Sequence, residues 1–154
     1  MHSFVMEING LPLHVLVVHA AVVLTPIAAL AAIGYAVVPR WRDWLRWPVV
    51  VAVVVAVGTV WVAFLSGDDF RGDARFATAS GEFADKLDKH EDLGGILRWV
   101  ASGFGLVTLA AVALHTRTGV TRILLSVAVA ALGLATVVLT IMTGDAGAQA
   151  VWGS

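Results

Sequence analysis

Four long apolar runs limit what this chain can fold into. Each is close to the roughly 20 residues that an α-helix needs to cross about 30 Å of hydrocarbon. The chain as a whole is 59% hydrophobic and 14% charged, whereas soluble domains have about 45–50% apolar and about 25% charged residues. We therefore predict an all-α fold, a four-helix transmembrane bundle in a single membrane domain, residues 1–154. The predicted transmembrane helices cover residues 11–38, 48–66, 93–114 and 123–142.

The segment between the second and third spans, residues 67–92, is polar. Its second half carries a stripe of residues at alternating spacings of four and three, which indicates a helix. We expect this helix to begin near Ser80 and to continue into the third span. The stripe consists of Phe83, Leu87, His90, Gly94, Leu97 and Ala101.

Small residues recur at helix-packing spacings in three of the spans. In lipid there is little hydrophobic drive between helices, and small faces allow backbones to approach closely. We therefore predict a compact bundle that packs through these faces. They comprise Ala21, Thr25, Ala28 and Ala32 in span one, Ala101 and Gly105 in span three, and Ala131 and Ala135 in span four.

Arginines are dense in the short turns that follow spans one and three. Because short cytoplasmic loops are enriched in Lys and Arg, we predict that these turns are cytoplasmic. The N- and C-termini and the segment 67–92 are then extracytoplasmic. The first ten residues contain Glu7 but no Lys or Arg, and the first apolar run is long for a signal peptide, so we expect it to remain as an anchor. The turn arginines are Arg40, Arg42, Arg46, Arg117 and Arg122.

The two halves of the chain resemble each other. Each begins its first helix near a histidine, His14 or His90, and each ends its second helix with a hydroxyl residue, glycine and aspartate. The separation from histidine to aspartate is 54 residues in one half and 55 in the other. Two hairpins in the same orientation predict a pseudo-twofold axis along the membrane normal. This axis would bring His14, His90, Asp68 and Asp145 to one level near the outer surface.

Three interpretations of the two histidines and two aspartates at this level remain open. His14 and His90 can face each other across the bundle as axial ligands of haem b, with Gly94 and Gly95 leaving room for the macrocycle. Alternatively, the two histidines with Asp68 and Asp145 form a nitrogen and oxygen set for a single transition-metal ion. In the third interpretation, these side chains cap helix ends and hydrogen-bond to one another.

Other polar residues have simpler interpretations. His115 lies alone at the inner end of span three, where a helix C-terminus favours a cation, and we expect it to be structural. Arg98 is expected to extend outward or to pair with Glu91, Asp92 or a terminal aspartate. Trp61 and Trp99 are either interfacial anchors or residues that line a cofactor.

The motifs of several protein classes are missing. The chain has no cysteine, which excludes disulfides, thiolate metal sites and iron–sulfur clusters. No P-loop, dinucleotide-binding glycine pattern, nucleophile elbow or zinc-protease helix is present. There is also no basic face for nucleic acid. The sequence thus does not indicate an enzyme.

Several short elements resemble those of a family of small bacterial four-helix membrane proteins, a domain of unknown function. The resemblance extends over essentially the whole chain and implies a bacterial plasma membrane protein. Family members sometimes accompany Rieske-type or other respiratory redox modules, which implies an electron-transfer setting. The elements are Leu11-Pro12-Leu13-His14, Val17-Val18-His19, His90 to Gly94, and Thr143 to Ala148 followed by Val151-Trp152.

In its last motif the family is expected to carry histidine where this chain has Asp145. His14, His19 and His90 are therefore the positions that match as cofactor-binding candidates. His19 is about 7.5 Å deeper than His14 and is rotated by about 140° around the helix. It cannot chelate one ion together with His14 from the same helix face.

The sequence favours three alternative functions. In the first, the chain is a redox membrane protein that binds a cofactor through His14 and His90. In the second, it is an accessory subunit that packs against a larger respiratory complex. The third function is a small transporter or a proton-conducting protein. The expected partners are the lipid bilayer, subunits of such a complex and a second copy of the chain.

Overall fold

The computed structural model describes residues 7–8, 11–71 and 81–152, with side-chain surroundings for residues 16–65 and 88–146. It confirms the all-α four-helix bundle. Four helices in it are long and apolar enough to cross a membrane. A two-residue antiparallel strand pair, β1 with β2, precedes the first helix. The elements are β1 Glu7–Ile8, β2 Leu11–Pro12, α1 Leu13–Val37, a 3₁₀ turn Pro39–Trp41, α2 Arg42–Arg71, α3 Gly81–Ala113 and α4 Val120–Trp152.

Prolines explain where α1 ends. Val38 has extended backbone angles of −110° and 99°, as expected for a residue that precedes proline. Pro39 then begins the 3₁₀ turn, and α2 begins at Arg42. α2 therefore starts before Pro48, which lies inside it, so Arg42, Trp44, Arg46 and Trp47, which precede the second predicted span, belong to the α-helix. At the other end of α1, Pro12 belongs to β2 rather than to a first helical turn.

The helices form a closed ring of four. α1 packs against α2 and α4, and α3 packs against the same two helices, so α1 and α3 lie at opposite corners. This is the arrangement expected of two hairpins related by a pseudo-twofold axis. The connections 38–41 and 114–119 lie at one end of the bundle, which we call the turn end. The opposite end is the terminal end.

The connection between α3 and α4 ends with a glycine in the left-handed backbone conformation. Gly119 has a φ of 71°, a conformation that glycine adopts without a steric penalty. Its carbonyl accepts a hydrogen bond from the amide of Ile123 at 3.1 Å, in the first turn of α4.

The core consists mainly of small and branched residues. The predicted packing face of α1 is confirmed, since Ala21, Thr25, Ala28 and Ala32 are all buried. The prediction for α4 is wrong, because Ala131 is exposed and Ala135 only half-buried. The buried face of α4 instead includes Val129, Gly133, Thr136 and Thr140. Thr136 and Thr140 satisfy their hydroxyls by donating to the carbonyls of Leu132 and Thr136, at 2.7 Å each, so both can face the interior.

The outer surface of the ring is apolar. Exposed valine, leucine and isoleucine side chains occur along all four helices, including Leu30, Val51, Leu106 and Leu134. A soluble protein rarely exposes an apolar surface of this extent. The surface therefore fits contact with lipid.

Candidate functional site

His90 is held by a backbone carbonyl at the terminal end. It lies half-buried on α3, and its Nδ1 is 2.9 Å from the carbonyl oxygen of Thr143 on α4. A carbonyl oxygen can only accept a hydrogen bond, so Nδ1 must carry the proton. In the neutral ring, Nε2 is then the nitrogen with a lone pair.

His14 lies in the first turn of α1, and its side chain is outside the part of the chain whose side chains are described. The position of its backbone along the bundle axis can nevertheless be compared with that of His90. At the turn end, the Tyr35 hydroxyl on α1 lies 3.4 Å from the carbonyl oxygen of Ala111 on α3. Residues 14 and 35 are 21 positions apart, and so are residues 90 and 111. α1 and α3 run in the same direction, so both histidine backbones lie about 32 Å from this contact, at 1.5 Å per residue.

The remaining predicted ligands are distributed over three helices. His19 is exposed on α1, and Asp145 is exposed on α4. Asp68 lies in the last turns of α2, and its side chain is outside the described set. Within the described residues, no group of three or more His, Asp or Glu side chains is arranged to bind a metal ion. The metal site of His14, His90, Asp68 and Asp145 thus remains a prediction.

Two features near His90 are compatible with a bound group. A Cβ atom built on Gly94, one turn along α3, would meet no other atom within 4 Å, whereas one on Gly95 would lie 3.8 Å from Phe64. The Thr143 hydroxyl is buried and has no hydrogen-bond partner among the described residues. A buried polar atom without a partner is unusual in proteins, so this level contains both open space and unused hydrogen-bonding capacity.

Arg98 is surrounded by aromatic rings. Its Cζ lies 3.9 Å from the ring centre of Phe64, 4.9 Å from that of Trp99 and 5.4 Å from that of Trp61. We call these three rings the aromatic cage. The faces of aromatic rings attract cations, and among the described residues no acid forms an ion pair with Arg98. Glu91 is therefore not its partner, and Trp61 and Trp99 surround a cation of the chain itself.

A hydrogen-bond chain fixes one wall of the aromatic cage. The Trp61 Nε1 donates to the Ser102 hydroxyl at 2.8 Å, and this hydroxyl donates to the Arg98 carbonyl at 2.6 Å. The rings of Trp61 and Trp99 meet edge to face, with centroids 5.5 Å apart.

His115 belongs to a three-residue relay at the turn end. Its Nε2 lies 2.9 Å from the Asp43 carboxylate, and its Nδ1 lies 2.7 Å from the Tyr35 hydroxyl. Since a carboxylate accepts, Nε2 donates to Asp43 and Nδ1 accepts from Tyr35. Tyr35 is 0% exposed, whereas the Asp43 side chain is 98% exposed. The relay therefore connects water to a hydroxyl inside the bundle.

Arg42 covers this relay. Its Nη2 donates to the carbonyl of His115 at 3.1 Å, and its Cζ lies 4.7 Å above the ring of Tyr35. Only 8% of Arg42 is exposed. The prediction that His115 stands alone is thus wrong. Two features of the sequence could have indicated the relay. The chain has one tyrosine, and Asp43 is the acidic residue at the short turns.

Comparison with known proteins identifies a family. A family model described as "Predicted membrane protein (DUF2231)" matches residues 10–154. No curated protein and no solved structure matches the chain.

Proposed function

The chain belongs to DUF2231, a family of predicted membrane proteins, and on that premise we propose that it is an accessory component of an electron-transfer complex that binds haem b. The haem would be held by His14 and His90 at the terminal end. We place the chain in the bacterial inner membrane with this end extracytoplasmic, as the arginine distribution predicts.

The hydrogen bond from His90 to Thr143 carries the proposal. Histidines that bind metals usually donate their other ring nitrogen to a carbonyl or a carboxylate, which fixes the tautomer and orients the ring. Nδ1 of His90 donates in this way at 2.9 Å. In this tautomer Nε2 carries the lone pair, so it is the nitrogen that would bind iron. A haem bound there would supply single-electron transfer, and the His90 and His14 imidazoles would help to set its potential.

The register of the bundle supports His14 as the second ligand. The helices α1 and α3 occupy opposite corners, and residues 14 and 90 lie at similar distances from the contact between Tyr35 and Ala111. A pair of histidines across a helical bundle is a recurrent way to hold a cofactor. The open space at Gly94 adjoins the same level.

The packed interior favours an accessory role over transport. The residues Ala28, Ala32, Val53, Phe104 and Val129 fill the centre of the described bundle. The apolar outer faces offer contact area for lipid, for subunits of a larger respiratory complex or for a second copy of the chain.

An absorption spectrum tests the haem. Protein purified with lipid, or reconstituted with haemin, is expected to show a Soret band that His14→Ala and His90→Ala abolish. His115→Gln, at the turn end, is expected to keep the band, and circular dichroism checks that every variant is helical. If the purified protein contains one transition-metal ion per chain and shows no Soret band, the metal site of His14, His90, Asp68 and Asp145 is favoured. If it contains neither haem nor metal but copurifies with cytochrome subunits, it is an accessory subunit without a cofactor.

The relay of Tyr35, His115 and Asp43 favours proton conduction as a second candidate function. Relays of hydroxyl, imidazole and carboxylate groups can pass protons, because each imidazole nitrogen can donate or accept. A pH-sensitive dye in proteoliposomes would report conduction, which Tyr35→Phe and Asp43→Asn should abolish. Equal proton leak with and without the protein would rule this function out.

A further inference from the structure

The turn end contains a cleft lined by cationic and hydroxyl side chains. It is lined by residues of α1, α3 and α4 and by the first residue of α2, and the empty space around them, which includes open solvent, measures about 230 Å³. The polar residues of its wall are Tyr35, Arg42, Arg122 and Ser126, and none of its lining residues is acidic. We call it the arginine cleft.

Arg42 is a buried cation that no described acid pairs with. In the described part of the chain, no carboxylate forms an ion pair with its guanidinium, whose neighbours are the His115 carbonyl and the Tyr35 ring. The nearby acid, Asp43, instead binds Nε2 of His115. Buried charges are normally paired. The charge of Arg42, together with that of half-buried Arg122, therefore favours an anion, which the described acidic side chains do not supply.

The membrane position of the arginine cleft indicates the chemistry of that anion. Trp41, Trp44 and Trp47 are exposed at the same end of the bundle, and tryptophan concentrates at the level of lipid headgroups. Guanidinium groups bind phosphate oxygens through paired N–H donors, and the hydroxyl of Ser126 can donate to the same oxygens. The cleft also adjoins the first turns of α4, where the positive end of the helix dipole favours anions.

We propose that the arginine cleft binds a phosphate group, supplied by the headgroup of an acidic phospholipid. Arg42 and Arg122 contact the phosphate oxygens from two sides of the cleft, and Ser126 hydrogen-bonds to them. The bound headgroup neutralises Arg42 and ties the start of α2 to the start of α4. This site is separate from the haem proposal, which concerns the terminal end.

The experiment compares the full chain in nanodiscs of three compositions. They contain phosphatidylcholine alone, phosphatidylcholine mixed with phosphatidylglycerol, or phosphatidylcholine with inorganic phosphate in the buffer. The unfolding temperature is expected to rise with phosphatidylglycerol only. Stabilisation by inorganic phosphate alone would retain the phosphate chemistry and overturn the lipid as its source.

Matched variants locate the binding. Arg122→Gln is expected to weaken phosphatidylglycerol retention in native mass spectrometry by about tenfold, since it removes a charge-assisted hydrogen bond. Arg117→Gln, an exposed arginine of the same turn outside the cleft, should retain the lipid as the parent does. If Arg42→Gln fails to fold, lipid retention by Arg122→Gln and Ser126→Ala still tests the site. Equal lipid retention by Arg122→Gln, Arg117→Gln and the parent would overturn the site.

Discussion

Tyr35 and His115, 80 residues apart in the chain, are stacked and hydrogen-bonded to each other. Their ring centroids are 5.7 Å apart at an interplanar angle of 27°, and the hydroxyl lies 2.7 Å from Nδ1. The contact joins α1 to the residues that follow α3, which are otherwise at opposite corners of the ring. It therefore ties the two hairpins together at the turn end.

Removal of the Tyr35 hydroxyl should destabilise the bundle. Tyr35→Phe leaves Nδ1 of His115 without its donor in a largely buried position, and an unsatisfied buried group costs about 1–3 kcal/mol. Chemical unfolding in lipid or detergent measures this loss. Asp43→Asn is the comparison, because its carboxylate is on the surface and an exposed pair contributes about 0–1 kcal/mol. A larger loss for Asp43→Asn than for Tyr35→Phe would contradict the assigned relay.

The two half-buried histidines should have opposite tautomers. His115 donates from Nε2 to Asp43, whereas His90 donates from Nδ1 to Thr143. Nitrogen NMR of histidine-labelled protein at a pH where the rings are neutral distinguishes these forms, because protonated and bare ring nitrogens resonate far apart. Asp43→Asn and His115→Gln assign the signals. The same tautomer at both positions would be incompatible with one of the two hydrogen bonds.

Hydropathy and spacing predict the helices and the packed face of α1, but they mislead for α4. Two faces of α4 carry small residues, and the buried one contains Gly133, Thr136 and Thr140, whose threonines satisfy their hydroxyls within the helix. An alanine pattern cannot distinguish such a face from one that meets lipid.

The sequence marks two members of the relay, the one tyrosine and the turn acid Asp43, but it does not show that they meet. Tyr35, Asp43 and His115 come from three segments of the chain, and only the way α1 meets the end of α3 brings them together. His14 and His90 could be paired from the sequence because the internal repeat relates them, a signal that the relay lacks.

A methyl group at Gly133 should strain the centre of the bundle. A Cβ atom there would lie 3.1 Å from Cγ1 of Ile33 and 3.3 Å from Cε1 of Phe104, and overpacking of a core costs about 1–3 kcal/mol. We therefore expect Gly133→Ala to lower the unfolding temperature.

Gly103 is the matched control for this change. A Cβ atom at Gly103 would meet nothing within 4 Å, and alanine is favoured over glycine inside a helix by about 0.5–1 kcal/mol. Gly103→Ala is thus expected to be neutral or stabilising. If both variants unfold at the same temperature, the close approach of α1 and α3 to α4 at Gly133 is refuted.

Loss of the Arg98 charge should empty the aromatic cage. A cation over aromatic rings contributes about 0.5–1 kcal/mol at exposed sites and about 2 kcal/mol or more when desolvated, and Arg98 is half-buried against three rings. Arg98→Gln is therefore expected to destabilise the bundle by about 1–2 kcal/mol and to alter tryptophan fluorescence, since Trp61 and Trp99 lose their charged neighbour. Arg117→Gln removes an exposed arginine of the turn end and should change neither quantity.

The double variant Arg98→Gln with Trp99→Leu tests the contact itself. Because both changes disrupt one interaction, the loss of unfolding free energy in the double variant should be smaller than the sum of the losses in the single variants. Strict additivity would show that the guanidinium and the indole stabilise the bundle independently.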